Sequence, residues 1–159
     1  MTSDTTLVLR EAVEEDLDAI VGIERKSFGD PWSRASFRSS LGGERMRFLV
    51  AEEVREGVGG GRCVVGYVIA LMLFDEAEIA NIAVAEDARR RGVGGLLLDH
   101  AIEEAAARGT AQVYLEVRES NAGARALYES RSFAPVGRRR GYYRNPTEDA
   151  LLLRRELAP

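Results

Sequence analysis

Residues 81–95 read NIAVAEDARRRGVGG. The stretch predicts a short buried strand, a loop, and a glycine-rich turn that opens a helix. Such a turn leaves several backbone N–H groups unpaired, aimed at one place with the positive end of the helix dipole behind them. That makes a seat for an anion, most often a phosphate or pyrophosphate. Arg89, Arg90 and Arg91 add positive charge just ahead of the turn. Gly92, Gly94 and Gly95, on either side of Val93, carry no side chain that would hold a ligand off the backbone.

Two common phosphate motifs do not fit. A dinucleotide fingerprint needs G-x-G-x-x-G, and Leu97 stands where the third glycine belongs. A P-loop needs Gly-Lys-Ser/Thr, and the only lysine is Lys26. What remains is Arg89-x-x-Gly92-x-Gly94, which resembles the acyl-CoA pyrophosphate loop of the GNAT N-acetyltransferases, R/Q-x-x-G-x-G/A. Alone, this hexad also describes an ordinary loop before a glycine helix start.

The second half of the chain adds to it. Residues 115–121 read LEVRESN, residues 126–130 ALYES, and Phe133 follows. Arg140-Gly141-Tyr142-Tyr143 and Glu148-Asp149-Ala150 come next, and Asp30-Pro31-Trp32-Ser33 stands near the start. At this spacing the set is similar to the RimI branch of the GNAT family, which acetylates the N-terminal amine of a ribosomal protein. The similarity runs from about Leu7 to Leu157.

Composition agrees with a single enzyme domain over residues 1–159, long enough to bury a sizeable core. Hydrophobic residues are 45% and charged residues 30%, ordinary for a globular protein. No apolar run approaches the roughly 20 residues that span a membrane. The first residues, MTSDTTLVLR, lack the basic and apolar regions of a signal peptide. Cys63 is the only cysteine, so no internal disulfide forms. These features predict a cytoplasmic protein without membrane contact. A net charge of −4 argues against general nucleic-acid binding and fits a basic peptide partner better. No feature of the sequence sets an oligomeric state.

The periodicities predict strands over residues 7–10, 48–52, 63–74, 78–84, 112–117, 134–142 and 150–156. Helices are predicted over 16–28, with Leu17, Ile20, Val21 and Ile23-Glu24 at helical spacing, and over 33–40 behind a Ser33 cap. A third helix spans 92–108, with Gly109 at its end, and a fourth runs to Ser130 from a cap at Ser120 or Asn121. Residues 53–62 read as a glycine-rich hairpin loop. This order gives an α/β fold, a mixed sheet with helices on its faces. The resemblance implies the same: a central, mostly antiparallel sheet with helices on both faces.

Amine acetylation from a thioester needs a held donor, a free amine, a polarised carbonyl and a protonated leaving thiolate. An α-amine titrates at about 7.7–8.0 and so needs only modest help to lose its proton. The resemblance implies acetyl-CoA as co-substrate and places the catalytic base at Glu116. Strand alternation points Glu116 away from Leu115 and Val117, which face the core. The plain alternative is a solvent-exposed strand carboxylate, for which Arg118 is read as a poor partner. Glu78, on the neighbouring strand, is the rival base. Tyr128, twelve residues after Glu116, is placed by the resemblance near the CoA sulfur as the acid; otherwise it is a packed helix tyrosine.

Asn121 resembles the residue that hydrogen-bonds the pantetheine arm, and Ile82, Ala83 and Val84 would offer backbone groups to the pantetheine and the acetyl carbonyl. Trp32, Tyr142 and Tyr143 are implied at the peptide site, and are otherwise core or rim aromatics. Arg138, Arg139 and Arg140 read as a solvated strand end, Cys63 as a small core residue, and His100 as a polar helix face without a role. One His and one Cys give no metal cluster of recognisable spacing. Ser132 stands where the family usually has glycine before Phe133, which bears on the turn after Tyr128.

Overall fold

The computed structural model describes residues 5–157. Among them the elements run β1 (Thr5–Glu11), α1 (Leu17–Ser27), α2 (Arg34–Ser39), β2 (Met46–Arg55), β3 (Arg62–Leu73), β4 (Glu76–Val84), α3 (Val93–Ala107), β5 (Gln112–Arg118), α4 (Ala122–Ser130), β6 (Ala134–Tyr143) and β7 (Glu148–Glu156). Single 3-10 turns, Glu14–Asp16 and Glu86–Ala88, precede α1 and the glycine loop. The order is the one the sequence predicts. Several strands are longer at their ends, where hairpin pairing carries regular backbone into residues without alternation.

The strands form one sheet in the order β1-β2-β3-β4-β5-β7-β6. Only β4 and β5 pair in parallel; the other neighbours are antiparallel. Leu97, Leu98, Ala101, Ile102 and Ala105 of α3 pack on one face, with Tyr128 and Phe133 from α4 and the turn after it. On the other face Leu17, Ile20, Val21 and Ile23 of α1 and Phe37 of α2 cover Phe48, Val50, Tyr67 and Ile69. Each such buried side chain adds about 1.5–3 kcal/mol over exposure, so both helix layers are held by the sheet.

The parallel pair positions the site. β4 and β5 pair only from Glu76↔Gln112 to Ile79↔Leu115. On its other edge β4 changes register, Ile69↔Asn81 being followed by Ala70↔Ile79, which leaves Ala80 as an extra residue. A bulge bends its strand and re-aims the residues beyond it. Before the bulge, Ala77 and Ile79 face α3; beyond it, Ala83 faces α1. Past Ile79 the two parallel strands therefore part, and a gap opens at their carboxyl ends, the usual place for a ligand in α/β sheets.

Local signals account for the helix ends. The Ser33 hydroxyl accepts from the Ser36 N–H (3.1 Å), and the Asn121 side chain accepts from the Ala124 N–H (3.1 Å). Ser132 takes φ +68° after α4, the conformation a glycine would favour. The Phe133 N–H still closes back on the Tyr128 carbonyl (3.1 Å), so the turn after Tyr128 keeps its shape. Cys63 corrects an expectation: it is exposed, because it opens β3 at the hairpin before that strand enters the core.

Candidate active site

The glycine turn forms the α3 side of the gap. Gly92 adopts φ +80°, a left-handed conformation open to glycine, and caps α3. The first helical bond joins the Leu96 N–H to the Gly92 carbonyl (3.0 Å). The N–H groups of Val93, Gly94 and Gly95 thus lie in the first turn, ahead of any intrahelical acceptor. A Cβ on Gly94 would lie 3.4 Å from Leu127 and 3.5 Å from Val84, so the first turn of α3 sits between α4 and the end of β4. Gly95 has a different setting. A Cβ there would come within 2.2 Å of the Arg131 guanidinium, which pairs with Asp99 (3.0 Å).

The three arginines diverge. Arg89 donates to the Val84 carbonyl (3.1 Å) and the Ser27 hydroxyl (3.3 Å), bracing the loop against α1 and β4. Arg91 donates to the Asp87 carbonyl (2.8 Å) and lies 3.5 Å from the buried Glu53. Arg90 is exposed, at φ +65°. Ile82, Ala83 and Val84 run along the gap, paired with β3 on their other edge. Asn121 begins α4 across from them, its side-chain oxygen engaged by the cap.

Tyr128 is 6% exposed, packed edge-on against Phe133 with ring centroids 6.0 Å apart. Burial pushes its hydroxyl up to about 12, so it holds its proton through the neutral range. No buried side-chain oxygen among the described residues lacks a partner.

Glu116 approaches from the opposite face. Val113, Leu115 and Val117 of β5 point into the α3 core, which leaves Tyr114, Glu116 and Arg118 on the other side. Arg118 therefore shares the face of Glu116, as residues two apart on a strand must. It is drawn away to Asp30 and Glu148, both at 3.2 Å. The partner of Glu116 is Arg139 of β6 (2.9 Å). Glu78, Tyr114, Glu116, Arg139 and Leu152 line one cleft of about 220 Å³. Burial raises the Glu78 carboxyl and the adjacent Glu116 raises it further, while Arg139 opposes both.

Tyr142 and Tyr143 of β6 lie edge to face with centroids 5.1 Å apart. Arg139 stacks over Tyr142 (5.6 Å) and Arg118 over Tyr143 (4.6 Å). Burial, and then Glu116, raises both phenols. The structure thus brings together Glu116, Glu78 and Arg139, sets Tyr142 and Tyr143 beside them under Arg139 and Arg118, and keeps Tyr128 in the core on the other face of the sheet.

Trp32 lies apart from this group, packed on Phe37 with centroids 5.4 Å apart. Its loop is nonetheless stitched to the cleft. Asp30 accepts from Arg118 (3.2 Å) and from the Arg144 N–H (3.2 Å), and Gly29 packs so closely on Asn145 that a Cβ would sit 2.0 Å from its carbonyl oxygen. Sequence reasoning missed Arg139, Asp30 and Glu24. Arg139 belongs to a run of three arginines and reads as solvated; it is the register of β6 on β7 that brings it to Glu116. Glu24 did carry a signal, a carboxylate at an apolar-stripe position seven residues after Leu17.

This geometry has counterparts. The model of the acetyltransferase (GNAT) family matches residues 17–133. The [ribosomal protein bS18]-alanine N-acetyltransferase of Escherichia coli K12 is 39% identical over 142 residues, 87% of this chain and 89% of that protein. The crystal structure of the ribosomal-protein-S18-alanine N-acetyltransferase from Escherichia coli superposes with a TM-score of 0.82 at 35% identity, covering 97% of this chain and 96% of that one. Ard1 from Thermoplasma volcanium gives a TM-score of 0.83 at 25% identity, covering 96% and 99%. With the glycine turn, the parted parallel strands and these matches in agreement, the chain belongs to the GNAT acetyltransferase family.

Proposed function

We propose that this protein transfers the acetyl group of acetyl-CoA to the N-terminal α-amine of a ribosomal protein, by direct attack in a ternary complex. The observation that carries the reading is the parting of β4 and β5 past Ile79↔Leu115, with Glu116 directed to one face of the sheet at that point and Tyr128 packed in the core on the other. An amine on one face and a thioester on the other are thereby kept apart except at the gap. The relative named for bS18-alanine acetylation supports the choice of substrate. The reaction belongs in the cytoplasm, where ribosomal proteins are made.

Residues of the α3 side fit the donor. The N–H groups of residues 92–95, with Arg90 exposed beside them, would hold the pyrophosphate. The unpaired edge of β4 at Ile82, Ala83 and Val84 would hold the pantetheine, with Asn121 opposite. Bound there, acetyl-CoA supplies an acyl carbon open to attack and a sulfur that needs a proton to leave.

The remaining work is done by side chains of the chain itself. Glu116 takes a proton from the α-ammonium through a water, which frees the nitrogen lone pair. Arg139 holds the Glu116 carboxylate in place, and Glu78 adds a second negative group that favours an ammonium in the cleft. Tyr142 and Tyr143 wall the amine in, with Trp32 further along the peptide. The nitrogen forms its bond to the acyl carbon as the C–S bond breaks. Tyr128, protonated at working pH, gives its hydroxyl proton to the departing sulfur and regains one through solvent, as the nitrogen sheds its second proton to solvent.

The test is acetyl transfer to short peptides, read by mass, with free and blocked N-termini. The panel includes an alanine-first peptide of bS18 and peptides with internal lysines. Transfer to free α-amines alone is expected. Transfer to blocked peptides through lysine would replace the reading with a lysine acetyltransferase, and transfer to no peptide would point to a small amine.

A further inference from the structure

We propose that Glu24 is a positioning residue for the peptide substrate, a buried carboxylate that fixes the Trp32 loop to the strand along which the donor is held. The inference rests on the reading of that loop as one wall of the peptide site.

Glu24 is 1% exposed, on α1, within the core formed by Leu17, Ile20, Phe37, Val50 and Ile69. Its partners are three donors, none of them a cation. Oε1 accepts from the Tyr67 hydroxyl and from Asn81 Nδ2 (2.9 Å); Oε2 accepts from the Trp32 backbone N–H (2.8 Å). A carboxylate buried without a counter-ion is costly, and a leucine there would serve the core better. What the carboxylate alone provides is acceptance on two sides at once. One oxygen joins α1 to β3 and β4; the other reaches into the loop beyond α1.

Both ends of this link bear on the reaction. Asn81 stands just past the Ala80 bulge and immediately before Ile82, where β4 turns along the gap. Trp32 is the last loop residue before the Ser33 cap of α2. One side chain therefore sets the distance between the donor strand and the substrate loop, and Asp30 clamps the same loop to β5 and the β6–β7 turn. Small displacements of such walls cost rate through lost alignment.

The test is Glu24→Gln, with Ile20→Val as a control that weakens the same core without touching the three bonds. Glutamine has one acceptor oxygen and one donor nitrogen for three donors, so one tie must break. The expected result is a rise of about tenfold in the peptide KM, with the acetyl-CoA KM within about twofold of wild type. The emission of Trp32, the only tryptophan, shifts to the red. The control lowers Tm and leaves both KM values alone. If wild type acetylates peptide α-amines while Glu24→Gln changes neither peptide KM nor emission, or raises both KM values equally, the inference is overturned. If wild type acetylates no peptide, the functional reading fails and takes this inference with it. Should Glu24→Gln not fold, hydrogen exchange at the Trp32 amide of wild type decides. Saturating peptide is expected to slow it about fivefold or more, and an unchanged rate overturns the proposal.

Discussion

On the α3 side of the β4–β5 gap, the groups proposed to face acetyl-CoA are mostly backbone, contributed by residues 82–84 and 92–95 of one short run. On the opposite side the proposed groups are side chains from separate elements: Glu78 from β4, Glu116 from β5, Arg139, Tyr142 and Tyr143 from β6. The first kind of site needs glycines and a helix start, which neighbouring residues specify. The second exists only after register places distant strands side by side. A backbone site tolerates change in side chains that merely flank it; a side-chain site does not tolerate loss of the group that reacts.

The largest expected effect therefore lies on the β5 side. Glu116→Gln should lower kcat by about 10²–10³ at neutral pH, within the range of about 10²–10⁴ ascribed to a positioned acid or base. The deficit should narrow as pH rises past about 8, where the α-amine is already free. A pH–rate profile parallel to that of wild type would move the base to Glu78.

Tyr128→Phe comes next, with transfer slowed about 10–100-fold and the acetyl-CoA KM changed by less than about twofold. A large loss of acetyl-CoA affinity would make Tyr128 a binding group instead. The same variant tests the burial of the phenol. Its hydroxyl titrates at about 12 in the folded protein against an ordinary 10.0. The folded state thus holds the proton more tightly, so this stability is intact below pH 10 and fades as pH rises towards 12. Thermal melts between pH 9 and 12 should show a shallower alkaline decline in Tyr128→Phe than in wild type.

These differences also explain what was readable in the sequence. The order of strands and helices follows from periodicity and caps, because Leu17, Ile20 and Val21 or Val113, Leu115 and Val117 announce their faces locally. The glycine turn is legible for the same reason. The Ala80 bulge is not, since nothing in Ile79-Ala80-Asn81 marks the extra residue; it exists in the pairing with β3. Arg139 is indistinguishable from Arg138 and Arg140 until β6 is registered on β7, whereupon it reaches Glu116 while Arg138 reaches Glu119 and Asp149. Glu24 looks like one more charge on an amphipathic helix until its place on the apolar stripe is counted.

On the α3 side the glycines divide the prediction. Gly92→Ala forces a side chain into φ +80°, a strain of order 1–3 kcal/mol, at the residue that aims the first N–H groups of α3. The acetyl-CoA KM should rise about tenfold with the peptide KM unchanged, as measured by varying each substrate at saturation of the other.

Gly95→Ala should do far less, and the contrast is the sharper test. Gly95 lies in the same run, yet its open space is filled by the far end of the flexible Arg131 side chain, not by backbone. An added methyl displaces a guanidinium from the partly exposed Asp99, a pair worth about 0.2–1 kcal/mol. The helix keeps its conformation, because alanine suits a helix interior better than glycine does. An acetyl-CoA KM within about twofold of wild type would assign Gly95 to helix packing and confine the anion seat to the turn at Gly92–Gly94. A rise as large as that of Gly92→Ala would mean that the ligand approaches the Gly95 N–H as closely as the turn itself, and the backbone site would extend one residue deeper into α3.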